Sequence, residues 1–348
     1  MSSKHQGISK SYLRGRTLTE QEKRERLYQG QPHPDNPLIN DHDTVIKMNS
    51  TYLETVDRSY NNKGFLSLIC FGITITFLCI MIWGCQGTIE AHRLRNESLS
   101  SKAIYALLFL NGIVCLIIFI CVKLILIEWF RKTHYPIRFN RKKQMVYVYQ
   151  IDGSVLSAPW GNIFFTLNGG NKWGINGHIL ADDNQTVLQT FNLAILESKP
   201  NLPNYWEFIR CYMEEDVLHE IPKTIFLCPP IAERKEGYLF GLQYGIRMRT
   251  KIDWVLLLPL FPYYLVEAFS RYIGMQTSRI PQWPKEVEMA CQVDSDDPID
   301  VSYKGNIPYV WRYVFANLKM KDRIKYYKQS MTASKRIRRK VARRHKEQ

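Results

Sequence analysis

The residues with the clearest chemical potential lie near the end of the chain and are basic. Between Lys319 and Lys346 there are thirteen Lys or Arg residues and a single acidic residue, Asp322. A segment with this charge either stays solvated or attracts an anionic partner, and the two common partners are lipid headgroups and nucleic acid. No nucleic-acid recognition motif accompanies the charge, so anionic lipid headgroups are the predicted partner. The predicted membrane-surface residues are Lys335, Arg336, Arg338, Arg339, Lys340, Arg343 and Arg344.

Other residues that could support catalysis or metal binding occur without the spacing that such chemistry needs. Cys211 and Cys228 could be nucleophiles near His219. However, Cys211 lies on a helical apolar pattern and Cys228 precedes two prolines, so both cysteines are predicted to pack in the core. The histidines form no H-x-x-x-H pair and the cysteines no C-x-x-C pair. The acidic run 294–300 lacks the Gly and distal Glu of a calcium loop, which predicts a solvated loop. The sequence therefore predicts a non-enzymatic protein without cofactor or metal.

Two apolar runs can hold such a protein at a membrane. Gly64–Gly84 contains no charged residue, and Ala103–Ile127 contains a single charged residue, Lys123. Each is long enough to cross the roughly 30 Å apolar layer of a bilayer as a helix. We therefore predict a transmembrane hairpin over residues 64–128, in which the Lys123 ammonium reaches the headgroups. A third apolar stretch, Trp254–Val266, is shorter and contains two prolines, so it is predicted to lie at the membrane surface or in a core.

The basic residues that flank the hairpin predict its orientation. Six Lys or Arg residues lie between Arg131 and Lys143, whereas the predicted loop Gln86–Lys102 contains three. Loops that are rich in Lys and Arg remain in the cytosol. Because two spans return the chain to its starting side, we predict a multi-pass protein with both termini in the cytosol and only the loop outside.

The remaining sequence divides into four further segments. Residues 1–63 mix charged residues with prolines, which predicts a flexible cytosolic segment with a short helix around Thr19–Tyr28. Residues 131–220 alternate like strands and end in an amphipathic helix, 204–220. Residues 221–318 contain the proline-broken apolar stretch and a linker, and residues 319–348 form the basic tail. The predicted fold class is an α+β membrane protein, with the transmembrane hairpin followed by a cytosolic antiparallel β domain and C-terminal helices.

Six strands are predicted in the β domain: YPIRFN, QMVYVYQI, SVLSAPW, NIFFTL, WGINGHIL and TVLQTFNLA. Turn residues separate several of them, at Asp152-Gly153, Gly169-Gly170-Asn171 and Asp182-Asp183-Asn184. Six antiparallel strands closed by one helix resemble a pleckstrin-homology-like barrel. The run PIRFNRKKQMVYVYQIDGSVLSAPWGNI is similar to bacterial domains of that type.

The order of features between Gly64 and Asp300 resembles an uncharacterised bacterial membrane family that is often encoded beside type VI secretion genes. The double membrane helix, HYPIRFNRKKQMVYVY, a Trp-Gly-containing strand pair, the proline-broken segment and SRIPQWPKEVEMACQ carry this resemblance. It implies an inner-membrane immunity or accessory protein of an antagonism system, whose partner is a toxin or a secretion-system protein. The alternative from the residues alone is a membrane-tethered sensor that binds a lipid or a peptide.

Overall fold

The chain is an α+β protein with two long apolar helices and two antiparallel sheets. The computed structural model describes residues 15–35, 37–57, 60–96, 98, 100–168, 174–193, 199–247, 254–306 and 320–347. The chain divides into two units. The first is drawn from Met1–Asn61, Lys132–Glu236 and Ile280–Gln348, and the second from Asn62–Arg131 and Gly237–Arg279. The first unit is therefore interrupted twice along the sequence by segments of the second.

The first unit contains both sheets. The five strands of one sheet are β1 (Arg16–Thr17), β2 (Arg26–Leu27), β8 (Ile163–Asn168), β9 (Gly174–Leu180) and β10 (Thr186–Asn192). The six strands of the other are β3 (Val45–Met48), β4 (Tyr52–Thr55), β5 (Ile137–Asn140), β6 (Met145–Tyr149), β7 (Val155–Pro159) and β11 (Val301–Ser302). The orders are β1-β10-β9-β8-β2 and β11-β3-β4-β5-β6-β7, with every neighbouring pair antiparallel.

All six strands predicted between residues 131 and 220 are present, but they do not form the expected barrel. β5 to β7 belong to the six-stranded sheet and β8 to β10 to the five-stranded one. Both sheets are open at their ends, so the described strands do not close on themselves. The predicted turns at Asp152-Gly153 and Asp182-Asp183-Asn184 are confirmed, with Gly153 and Asn184 in the left-handed region. The turn predicted at Gly169-Gly170-Asn171 lies outside the described residues.

The N-terminal segment differs most from its prediction. Residues 16–55, which were predicted to be flexible, supply β1 to β4, whereas the short helix predicted around Thr19–Tyr28 is present as α1 (Glu20–Arg24). Thr19 and Glu22 form a capping box at the start of α1. β4 pairs with β5 from Tyr52↔Asn140 to Thr55↔Ile137. The segment thus provides central strands of one sheet and both edges of the other.

Four helices form the second unit: α2 (Phe65–Leu94), α3 (Ser101–Trp129), α5 (Tyr238–Arg247) and α6 (Trp254–Thr277). By length and composition, α2 and α3 are long and apolar enough to cross a membrane. α2 continues ten residues beyond Gly84, so the predicted loop 86–102 is wrong and the chain between the helices is much shorter. The proline-broken stretch is part of α6, which continues through Pro259 and Pro262.

The base of the helical hairpin is held by a buried carboxylate. Glu128, near the end of α3, accepts hydrogen bonds from the backbone N–H groups of Gly64 and Ser67 at 2.8 and 2.7 Å, and from the Ser67 hydroxyl. The first N–H groups of a helix have no partner within the helix, and a negative charge there is stabilised by the helix dipole. Lys63 donates to the carbonyl oxygen of Glu128 at 2.8 Å. The end of α3 therefore caps the start of α2.

Of the helices in the described residues, three more lie in the first unit. They are α4 (Leu202–Glu214), α7 (Lys285–Ala290) and α8 (Met320–Glu347). α4 is the amphipathic helix predicted at 204–220, but it ends at Glu214. Its Trp206 stacks on Trp160 with ring centroids 5.6 Å apart and contacts Phe165 at 4.9 Å. These aromatic rings form the core between α4 and the five-stranded sheet.

Candidate functional site

The basic tail is a helix with one buried face. Ala333, Ser334, Ile337 and Val341 are buried, a spacing that places them along one side of α8. This side contacts the turn Ile221–Thr224. The Ser334 hydroxyl also accepts a 2.8 Å hydrogen bond from the backbone N–H of Ile39. The tail is therefore a packed element of the first unit rather than a free solvated segment.

The opposite side of α8 carries the basic residues. Lys335, Arg339, Lys340 and Arg343 are exposed, and Arg338 is partly buried. Residues 335, 339 and 343 are four apart and so project from the same face of a helix. Lys328 and Lys346 extend this exposed face in both directions. We call Lys328, Lys335, Arg339, Arg343 and Lys346 the basic stripe.

Two of the predicted membrane-surface residues also contact acidic groups of the protein. Arg336 lies 3.8 Å from the Glu220 carboxylate. Arg344 lies 3.2 Å from the Glu215 carboxylate and donates to the carbonyl oxygen of Glu214 at 3.1 Å. His345 Nε2 is 3.1 Å from Glu215 Oε1. These contacts fix the rotation of α8, so the basic stripe faces solvent.

Glu215 connects α8 to a buried ion network on α4. Arg210 is fully buried and contacts the carboxylates of Glu207, Glu214 and Glu215 at 2.8, 3.1 and 2.8 Å. Burial disfavours the charged form of Glu215, but hydrogen bonds from Arg210 and His345 outweigh it, and the pKa of Glu215 is lowered. Glu215 therefore stays ionised at neutral pH and holds both α4 and α8.

Replacing Glu215 with Gln is expected to loosen the end of α8. The neutral amide loses the charge that attracts Arg344 and His345, so amide hydrogen exchange over residues 334–345 should accelerate roughly five-fold, equivalent to about 1 kcal/mol. Because the folded-state pKa is lowered, the stabilisation by Glu215 is complete above the ordinary Glu pKa and is lost as pH falls through the folded value. Exchange in the wild type should therefore approach that of the variant in acid. Glu286→Gln, at an exposed position, is the control. Equal exchange rates in the wild type and both variants would contradict the role of Glu215 in holding α8.

A second cluster joins the two sequence motifs that carried the family resemblance. Arg138, from the first motif, forms a buried 2.7 Å ion pair with Glu54. Its guanidinium carbon lies 4.3 Å from the ring centroid of Tyr52 and 4.8 Å from that of Trp283, which belongs to the second motif. Trp283 also meets Tyr149 edge to face. Cation–π contacts on both sides keep the buried charge of Arg138 in place.

The remaining candidate residues have structural surroundings. Cys211 and Cys228 are buried, and desolvation raises the pKa of both thiols, so neither is poised as a thiolate. In the acidic run, Asp297 accepts from the backbone and hydroxyl of Ser50, and Asp294 pairs with Lys142 at 2.5 Å. Among the described residues, no group of three His, Cys, Asp or Glu side chains is placed to hold a metal ion.

Together these features define an α+β protein with two helices of membrane-spanning length and a basic surface helix. The chain belongs to a family of unknown function, DUF6708, whose model matches residues 114–295, just over half of its length. The matched region includes Arg138 and Trp283 and ends before α8. No curated protein and no solved structure matches the chain.

Proposed function

We propose that this protein is a non-enzymatic interaction protein of the bacterial inner membrane, an immunity or accessory protein of a type VI secretion antagonism system. The α2–α3 hairpin is the observation that carries the proposal. Its large apolar side chains are turned outward, with Trp83 79% and Phe109 74% exposed. Exposed apolar surface costs about 25 cal/mol per Å² in water, and a bilayer removes that cost. A protein held at the inner membrane is placed to meet a toxin or a secretion-system protein there.

The proposed topology puts both termini in the cytosol. Arg131 and Lys132 follow α3 directly, and Arg138, Arg141, Lys142 and Lys143 come shortly after. These residues keep their side of the hairpin inside by the positive-inside rule. Lys123 is exposed and lies within two turns of the end of α3, and its ammonium lies 5.5 Å from the ring centroid of Phe119, one turn further from that end.

Coexpression with the product of the neighbouring gene tests the immunity function. Cells that produce that product alone are expected to stop growing, and cells that also produce this chain are expected to grow, because the complex blocks the toxin. A variant of this chain that does not fold should give no protection. Equal growth arrest with and without the wild-type chain would disprove the proposal.

A membrane-tethered lipid sensor is the second candidate, and the basic stripe favours it. Each Lys or Arg near an anionic bilayer surface contributes about 1 kcal/mol of attraction. The stripe presents its charges side by side on a helix whose other face is fixed to the protein. Because the helix is already fixed, binding to a flat anionic membrane costs little conformational entropy.

Charge reversal of the stripe tests lipid binding. The full chain in phosphatidylcholine nanodiscs is expected to capture vesicles that contain phosphatidylglycerol, but not pure phosphatidylcholine vesicles, and to release them at high salt. The triple variant Lys335→Glu, Arg339→Glu, Arg343→Glu should lose this capture, at a cost of at least about 3 kcal/mol. The control triple variant Arg24→Glu, Lys143→Glu, Lys285→Glu changes the net charge equally at exposed positions elsewhere. Equal loss in both triples would show that only net charge matters.

A further inference from the structure

We propose that α6 is a third membrane-contacting element, which lies along the bilayer interface with one apolar face at the boundary between headgroups and acyl chains. This inference rests on the proposed membrane anchor and extends it. It concerns the second unit alone.

One face of α6 is apolar and exposed. Leu260, Tyr263, Val266 and Phe269 are between 41% and 55% exposed, and at 3.6 residues per turn they spread over roughly half of the helix circumference. Pro259 and Pro262 are exposed beside them. The other face is filled by the protein: Tyr264, Ala268 and Met275 are buried. α6 therefore has the division into a packed face and an outward apolar face that is typical of interfacial helices.

The C-terminal half of α6 is fastened to the base of the hairpin. The Ser270 hydroxyl donates to the carbonyl oxygen of Gly64 at 2.7 Å, and Lys63 donates to the Ser278 hydroxyl at 2.6 Å. Ser278 in turn donates to the carbonyl oxygen of Trp129 at 3.0 Å. Gly64 and Trp129 mark the ends of the two spanning helices, and in a bilayer these ends lie at the interface. The contacts therefore hold this end of α6 at the level of the headgroups.

The chemistry around α6 favours a lipid surface over a crossing or a protein partner. Glu267 and Arg271 lie within the helix, and a charge at the centre of a bilayer costs about 2.5 to 3.5 kcal/mol, which disfavours crossing. Arg131 and Arg279 lie at the hairpin base, where the backbone N–H of Arg279 donates to the carbonyl oxygen of Arg131 at 3.1 Å, and their positive charges complement anionic headgroups. The exposed face of α6 shares its aliphatic and aromatic composition with the outward surface of the hairpin. The occupant we assign to this face is the bilayer interface.

Site-specific fluorescence quenching in the full-length protein tests this assignment. A small fluorescent amino acid is incorporated at Phe269, at Leu108 in the hairpin, or at Asp182 in the exposed turn between β9 and β10. Each variant is reconstituted into phosphatidylcholine–phosphatidylglycerol liposomes. Lipids brominated on their acyl chains report contact with the membrane, and iodide reports contact with water. Unchanged melting temperatures verify that the surface substitutions leave the fold intact.

We expect brominated lipids to quench the probes at Leu108 and Phe269, and iodide to quench Phe269 several-fold less than Asp182. Quenching of Leu108 by lipid together with quenching of Phe269 by iodide would overturn the role of α6 and leave the anchor standing. If neither quencher reached Phe269 while lipid quenched Leu108, a protein such as a second copy would cover the face, and the inference would also fail. Absence of lipid quenching at Leu108 would overturn the membrane anchor itself.

Discussion

Replacing Arg210 with methionine is expected to lower the free energy of unfolding of the first unit by about 3 to 5 kcal/mol. Arg210 is fully buried, and its guanidinium is shared by the carboxylates of Glu207, Glu214 and Glu215. Methionine preserves much of the volume but leaves three carboxylates in one region without their common cation. Two of these carboxylates, on Glu207 and Glu215, are almost completely buried, so water cannot replace the lost contacts.

The pH dependence of the Arg210→Met variant separates a charge effect from a packing effect. In the wild type the hydrogen bond from Arg210 helps to lower the pKa of Glu215, so the resulting stabilisation is present above the ordinary Glu pKa and lost in acid. The difference in stability between wild type and variant should therefore shrink as the pH falls below about 4.5. Urea denaturation followed by circular dichroism measures it, with the exposed Arg24→Met as the control. A difference below about 1 kcal/mol, or one that does not vary with pH, would contradict the assigned role.

Replacing Gly64 with alanine is expected to destabilise the second unit by at least about 3 kcal/mol. Gly64 has φ +86°, and an added Cβ would lie 2.4 Å from Arg271 Cα and 2.5 Å from the Arg271 backbone nitrogen. Neither atom belongs to a side chain that could rotate away. Gly64 also donates its N–H to Glu128, so any backbone shift that relieves the overlap disturbs the cap of α2.

Gly84→Ala is the matched control for this prediction. Gly84 lies within α2, the helix that Gly64 precedes, but an added Cβ there meets no atom within 4 Å. Alanine has the higher helix propensity, so this variant should be neutral or slightly more stable. The melting temperature in detergent and the monodisperse fraction after purification compare the two. Similar values for Gly64→Ala and Gly84→Ala would show that the contact between Gly64 and α6 is not tight.

The sequence predicts the elements whose signal is local. α2 and α3 follow from uninterrupted apolar runs, and β5 to β10 follow from alternation and turn residues. β3 and β4 are different, because four-residue strands between polar turns carry little local signal. β4 pairs with β5, which lies more than 80 residues away in the sequence, and β3 pairs with β4 and with the still more distant β11. Long-range pairings also complete the other sheet, in which β8 and β10 pair with β2 and β1.

The candidate functional site also depends on contacts between distant segments that the sequence does not predict. The density of Lys and Arg in α8 was visible in the sequence, but the packing of Ile337 and Val341 that orients it was not. Glu207, Arg210 and Glu214 have the spacing of a solvated helical salt-bridge face. They are covered because the N-terminal segment crosses them: Gly30 donates its N–H to Glu214, and His33 donates its N–H to Glu207. No local sequence pattern predicts such a contact between distant segments.

The pairing of β4 with β5 has a consequence for biosynthesis. The ribosome completes β4 before it makes the hairpin and makes β5 only afterwards, so the central pair of the six-stranded sheet has to wait for its second strand. Chain elongation runs at about 5 to 20 residues per second, and the roughly 80 intervening residues delay pairing by several seconds. During this interval β3 and β4 present an unpaired edge, which is a hazard for aggregation. In the proposed topology, insertion of the hairpin would return the chain to the same side of the bilayer, so that β5 could pair with β4 as soon as it emerges.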